Sequence, residues 1–207
     1  MANQDLATRV IRILTDEYSR TVRFTLSGLF TNLRIDGYQL VVNAIAQGKI
    51  TCEVGVPPNP NLPAGSYAEC RYEKRQLRFP HERYGSIPGR ETFNIVHEAT
   101  HALFDCRYGS PAGTQILAMD NEAAAFFAQA VYSRVSPYMW GGSLVEGDPI
   151  AEALKLADKM GARPGRVEPY LVPEQYLDQL LISIQRPDQY DLQGGKAGIT
   201  HTYYGLP

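Results

Sequence analysis

The sequence predicts an α+β fold, with a small sheet in the first half and helices dominating the second. Three observations carry that expectation. Leu6, Val10, Ile11 and Leu14 recur at helical spacing near the N-terminus. Between residues 50 and 80 the pattern changes to short β-branched and aromatic runs divided by turn-forming residues. Beyond residue 90, two long segments are apolar around most of their circumference, as buried helices are.

Taken in order, residues 5–30 read as one or two helical segments. Asp36 is placed to cap a second helix, "GYQLVVNAIAQ", and Gly48 to end it from the C′ position. "ITCEV" and "YAECRY" read as strands on either side of a Pro- and Gly-rich loop, "PPNPNLPAG". "YAECRYEKRQLRFP" reads as a hairpin turning at Glu73 and Lys74. Pro88 and Gly89 mark a turn before a helix over about residues 90–106. A loop with Gly109, Pro111 and Gly113 leads to a long helix over about 114–135, and two more are expected near 148–161 and 173–185. The segment 191–207, "DLQGGKAGITHTYYGLP", reads as a Gly-rich extended tail beyond a single domain at 1–190.

The chain has 207 residues, enough for one domain with a sizeable core. Its 20 basic and 22 acidic residues nearly balance, which argues against nucleic acid engaged through bulk charge. No apolar run approaches the roughly 20 residues that span a bilayer, so no membrane partner is expected. Charges scattered through the first twenty residues do not resemble a secretory leader. Cys52, Cys70 and Cys106 are odd in number and widely spaced, unlike a disulfide framework. A reducing, cytoplasmic location fits that usage.

The chemistry concentrates in "NIVHEATHALFDC", residues 94–106. Burying two imidazoles and a carboxylate in so apolar a helix is costly unless something satisfies them. His97 and His101 are four apart and therefore project from one face. With Glu98 between them they form H-E-x-x-H, two metal ligands beside a carboxylate able to serve as general base. Catalytic zinc takes three protein ligands and leaves the fourth position to water, so a third ligand is required. Asp120-Asn121-Glu122 interrupts an otherwise apolar helix, and offers Glu122, 21 residues past His101, with Asp120 in reserve.

"HEATH" followed by "NEAAA" resembles the zincin metallopeptidases of the gluzincin type, with the thermolysin-like pattern H-E-x-x-H and a downstream N-E-x-x-[A/S]. The resemblance covers the two central helices. It implies one zinc ion per chain on His97, His101 and Glu122, Glu98 as base, and a peptide or protein substrate. It also implies a zincin-like fold, a small N-terminal sheet packed on a mainly helical body with the HExxH helix buried at its centre. The metzincin extension would require glycine and histidine where Phe104 and Arg107 stand, and the aspzincin pattern an Asp where Leu117 stands. The thermolysin-like group carries an Asp at the position of Phe126, hydrogen-bonded to a ligand histidine. Here Asp105 or Asp120 is the candidate outer partner.

An oxyanion donor is also required. Tyr108, Tyr132, His201, Tyr203 and Tyr204 are available, and "THTYY" in the tail makes His201 a catalytic candidate if the tail docks. By the same resemblance, the strand near Gln76–Phe79 would hold an extended peptide by edge pairing. Two other readings of the motif exist. One is a zinc-binding sensor or interaction domain without turnover, and the other a structural metal site completed by a fourth ligand such as His201 or Asp120. Cys106 reads as a small buried hydrophobe, His81 as a loop histidine, and "RYEKRQLRFPHER" as the solvated face of a hairpin.

Overall fold

Residues 2–29, 33–55, 71–73, 75–108, 114–138, 140, 144–185 and 200–203 are described by the computed structural model. Helix α1 (Ala2–Leu14) buries Leu6, Val10 and Leu14 as their spacing predicts, with Ile13 buried beside them and Ile11 only partly so. The helical reading of 5–30 fails beyond it. The chain makes a 3-10 turn at Ser19–Thr21 and enters β1 (Arg23–Leu26), which pairs antiparallel with β2 (Leu33–Asp36). Phe24, Leu26, Leu33 and Ile35 are buried while Arg23, Thr25, Arg34 and Asp36 face outward, so the true period is two. Four-residue strands leave too little alternation for that period to stand out from a helical one.

Asp36 is not a helix cap. It ends β2 and is held by Arg34 at 2.9 Å and Arg107 at 3.6 Å, while Tyr38 occupies the N-cap of α2 (Gln39–Ala46). Gly48 does end α2, with φ +70° and the Lys49 N–H returning 2.8 Å to the Ala44 carbonyl. Among the described residues the predicted single small sheet becomes two three-stranded sheets and a two-stranded ribbon. In the first, β1 lies between β2 and β7 (Tyr170–Val172), a strand from the second half of the chain running parallel to β1. In the second, β5 (Gln76–Phe79) lies between β3 (Thr51–Val54) and β4 (Arg71–Glu73). The β4–β5 hairpin forms, but it joins its strands one residue later than the predicted Glu73–Lys74, because Glu73 is paired opposite Gln76 and Arg75 takes φ +66°.

Helices α3 (Arg90–Tyr108) and α4 (Ala118–Val135) pack side by side through the middle of the molecule. All of α4 is buried except Met119 and Arg134. The predicted helix over 114–135 is shorter than expected, because residues Thr114–Leu117 form β6 and pair antiparallel with β8 (Thr200–Tyr203). That ribbon brings part of the Gly-rich tail back to the start of α4, and no local pattern could reveal a partner so distant in the chain. Helices α5 (Pro149–Lys159) and α6 (Asp178–Gln185) close over α4, and the helix expected from 173 is preceded by a 3-10 turn at Glu174–Tyr176. Among the described residues no helix is long and apolar enough to cross a membrane.

Two contacts fix α4. Phe127 stands edge-on to Phe24 of β1 at 4.9 Å and to Tyr170 of β7 at 6.3 Å, tying helix to sheet. The Gln129 side-chain amide donates to Asn94 Oδ1 of α3 at 2.9 Å, and Asn94 donates in turn to the Tyr84 hydroxyl at 3.2 Å. Phe127→Ala would open a cavity where helix and both strands meet. The expected loss is about 3–5 kcal/mol, measured from the midpoint of urea unfolding.

Candidate metal centre

The α3–α4 contact places the sequence's polar residues together. His97 and His101 project from α3 with ring centroids 4.9 Å apart and planes at 79°. Glu122, on the second turn of α4, sets its Oε2 3.5 Å from His97 Nε2 and 3.9 Å from His101 Nε2. All three side chains are nearly buried, at 11%, 12% and 10% exposure. Those separations exceed the usual hydrogen-bond range of about 2.7–3.2 Å. Two donors each about 2.1 Å from one tetrahedral ion stand about 3.4 Å apart. The donor spacing therefore suits an ion between them.

The ligand atoms of His97, Glu98 and His101 also lie within 4.8 Å of one another, a group that can hold a metal ion. Two carboxylates thus stand at one imidazole pair, and their surroundings differ. Glu122 points between the two rings. Glu98 Oε2 accepts the backbone N–H of Tyr72, in β4, at 2.5 Å. The edge of the second sheet therefore reaches down onto α3 beside the centre.

The outer partner of His101 is Asn121, and not Asp105 or Asp120. Asn121 Oδ1 lies 2.9 Å from His101 Nδ1. An amide oxygen only accepts, so with Asn121 Oδ1 at this position Nδ1 is the donor, which in a neutral imidazole turns the Nε2 lone pair toward Glu122. Asn121 immediately precedes Glu122 in "NEAAA", and its side-chain amide offers the same acceptor oxygen as the carboxylates expected in this role. Asp105 instead accepts the Tyr72 hydroxyl at 2.5 Å. Burial pushes the Asp105 carboxyl above its usual range, and the Tyr72 bond and the Arg75 charge act the other way. Asp120 is buried in the first turn of α4. Where the resemblance would place an Asp, Phe126 stands edge-on to the His97 ring at 4.6 Å.

The oxyanion candidates separate. Tyr132 donates to Asp16 Oδ2 at 2.7 Å, ten residues and so roughly 15 Å along α4 from Glu122. The Tyr108 hydroxyl accepts the Arg34 N–H at 3.2 Å at the far end of α3. Both are engaged away from the centre. His201 lies opposite Ile116 in the ribbon that runs directly into α4, and Tyr203 lies opposite Thr114, further from that helix. Tyr204 lies outside the described residues. The Gln76–Phe79 strand cannot accept a peptide along its edge, because β5 has β3 on one side and β4 on the other. The outer strand beside the centre is β4.

Cys106 is half-buried and its thiol is pushed up to about 11 by burial and by Asp105. Burial, with the Glu53 charge, raises Cys52 to about 12, and neither thiol is poised for nucleophilic or ligand chemistry near neutrality. Cys70 lies outside the described residues. His81 is a surface histidine 3.5 Å from Glu91. Compared with known proteins, the chain matches no family model, no curated protein and no solved structure.

Asn121 orients one imidazole of the group that can hold a metal ion. Asn121→Ala should weaken metal affinity by about 10- to 100-fold while the fold persists. Competition against a chromophoric chelator measures that change.

Proposed function

We propose that the chain is a zinc-dependent peptide hydrolase of the gluzincin type, zincin-like in fold, with one zinc ion on His97, His101 and Glu122. The single observation that carries this reading is the position of Glu122 Oε2, 3.5 and 3.9 Å from the two Nε2 atoms at a separation suited to a shared ion. The His101–Asn121 bond supports it by turning a lone pair toward that point. The donor set of two imidazoles and one carboxylate is that of a catalytic zinc site with a fourth position open to water. When bound, zinc lowers the pKa of such a water to about 7 and polarises a carbonyl.

The chain's own groups divide the remaining work. Glu98, next to a ligand but held from β4, takes the proton of the attacking water and later gives it to the leaving amine. The helix pair, buried on nearly every side, limits the solvent that competes for these groups. His201, opposite Ile116 at the entrance to α4, is the proposed donor to the developing oxyanion. The substrate class is a peptide or protein segment.

A structural metal site is the second reading, favoured by one observation. The ligand atoms of His97, Glu98 and His101 lie within 4.8 Å of one another, so a shift of Glu98 onto the ion would add a fourth protein ligand to His97, His101 and Glu122.

Metal analysis combined with hydrolysis of casein as an unstructured test substrate decides between them. Glu98→Gln should retain one zinc per chain and lose hydrolysis by about 100- to 10,000-fold. A variant that loses its zinc would support the structural site, and one that turns over like the parent would remove the base role. His201→Ala should keep zinc and slow turnover by about 100- to 1000-fold. Unchanged kinetics in that variant would leave His201 a strand residue only.

A further inference from the structure

Two carboxylates reach one pair of imidazoles, and the chemistry of the centre depends on which of them coordinates. If both do, four protein ligands close the shell, as in structural zinc sites. If Glu98 is kept off, one position stays open. Sequence alone does not determine this, since Glu98 is adjacent to a ligand on the same helix.

The contact that bears on Glu98 comes from outside the two motif helices. Among the described residues β4 is the outer strand of its sheet, and the Tyr72 N–H donates to Glu98 Oε2 at 2.5 Å. The same residue's hydroxyl donates to Asp105 Oδ2 at 2.5 Å, seven residues further along α3 from Glu98. Tyr72 therefore grips α3 at two carboxylates two turns apart. A bond to an ionised carboxylate is roughly twice as strong as one between neutral groups. The side-chain bond fixes how close β4 lies to the helix, and so where the amide stands.

On the reading of the centre as an open zinc site, we propose that Tyr72 is a positioning residue, anchored by Asp105, that holds Glu98 out of the metal shell and so keeps the fourth position open. The amide turns the Glu98 carboxylate toward β4 and orients it as a base. Without the anchor, β4 lifts, and Glu98 swings onto the ion as a fourth ligand.

The test uses the cobalt(II) form of the full chain, titrated with thiocyanate and followed by visible absorption. The parent should take up the anion at its open position. Tyr72→Phe and Asp105→Ala should bind it about 10- to 100-fold more weakly, in line with other outer-shell changes. Asp105→Asn, which keeps an acceptor for the hydroxyl, should behave as the parent. Adding Glu98→Gln to Tyr72→Phe should restore anion binding, because the competing carboxylate is gone. Equal anion affinity in the parent, Tyr72→Phe and Asp105→Ala would overturn the proposal and leave the zinc reading standing. A loss that persists in the double variant would also overturn it, since Tyr72 would then act through packing. A parent that binds no cobalt, or binds cobalt and refuses the anion, would overturn the open-site reading and this proposal together.

Discussion

The contact between α3 and α4 places ionisable groups where water has little access. Both helices are buried along most of their length, and α4 lines its surface with Ala123, Ala124, Ala125, Ala128 and Ala130. Small residues let helices approach closely, and a close approach brings Glu122 to the His97 and His101 rings. Charges so placed must be paired, neutralised or bound to an ion, because leaving them desolvated costs several kcal/mol. The rest of the structure is arranged around that requirement.

Four supports hold the pair in register. Phe127 wedges α4 against β1 and β7, so the first sheet sets the depth of the helix. Gln129 and Asn94 join the helices by a buried hydrogen bond, which fixes their rotation more sharply than apolar packing can. The β6–β8 ribbon anchors the beginning of α4, five residues before Glu122. Tyr38 adds a further tie, its hydroxyl 2.9 Å from Thr100 on α3. Each support acts on a backbone that carries a donor, and so on distances of a few tenths of an ångström at the centre.

The second sheet has a different relation to the site. Its outer strand comes down on α3 through Tyr72, at Glu98 and at Asp105. The proposed hydrolase would therefore have its base governed by a strand and its metal governed by a helix pair, two parts of the fold that can respond separately.

The sequence by itself determined the α+β class, a helix near the N-terminus, the approximate extent of α3 and α5, the Gly48 helix stop, a hairpin near β4 and β5, and the grouping of His97, Glu98, His101 and Glu122. All of these are written in local patterns: helical spacing, a positive-φ glycine, a motif of five residues. The tertiary structure decided the rest. β1 hides inside a stretch that reads as helix, and β6 is cut from a helix by a partner some 85 residues downstream, because strand pairing depends on a neighbour the local pattern does not contain. Asn121 as outer partner, Tyr72 on the Glu98 carboxylate and the enclosure of β5 are likewise contacts between distant segments. Spacing along one helix fixes which side chains share a face. Only packing fixes what that face meets.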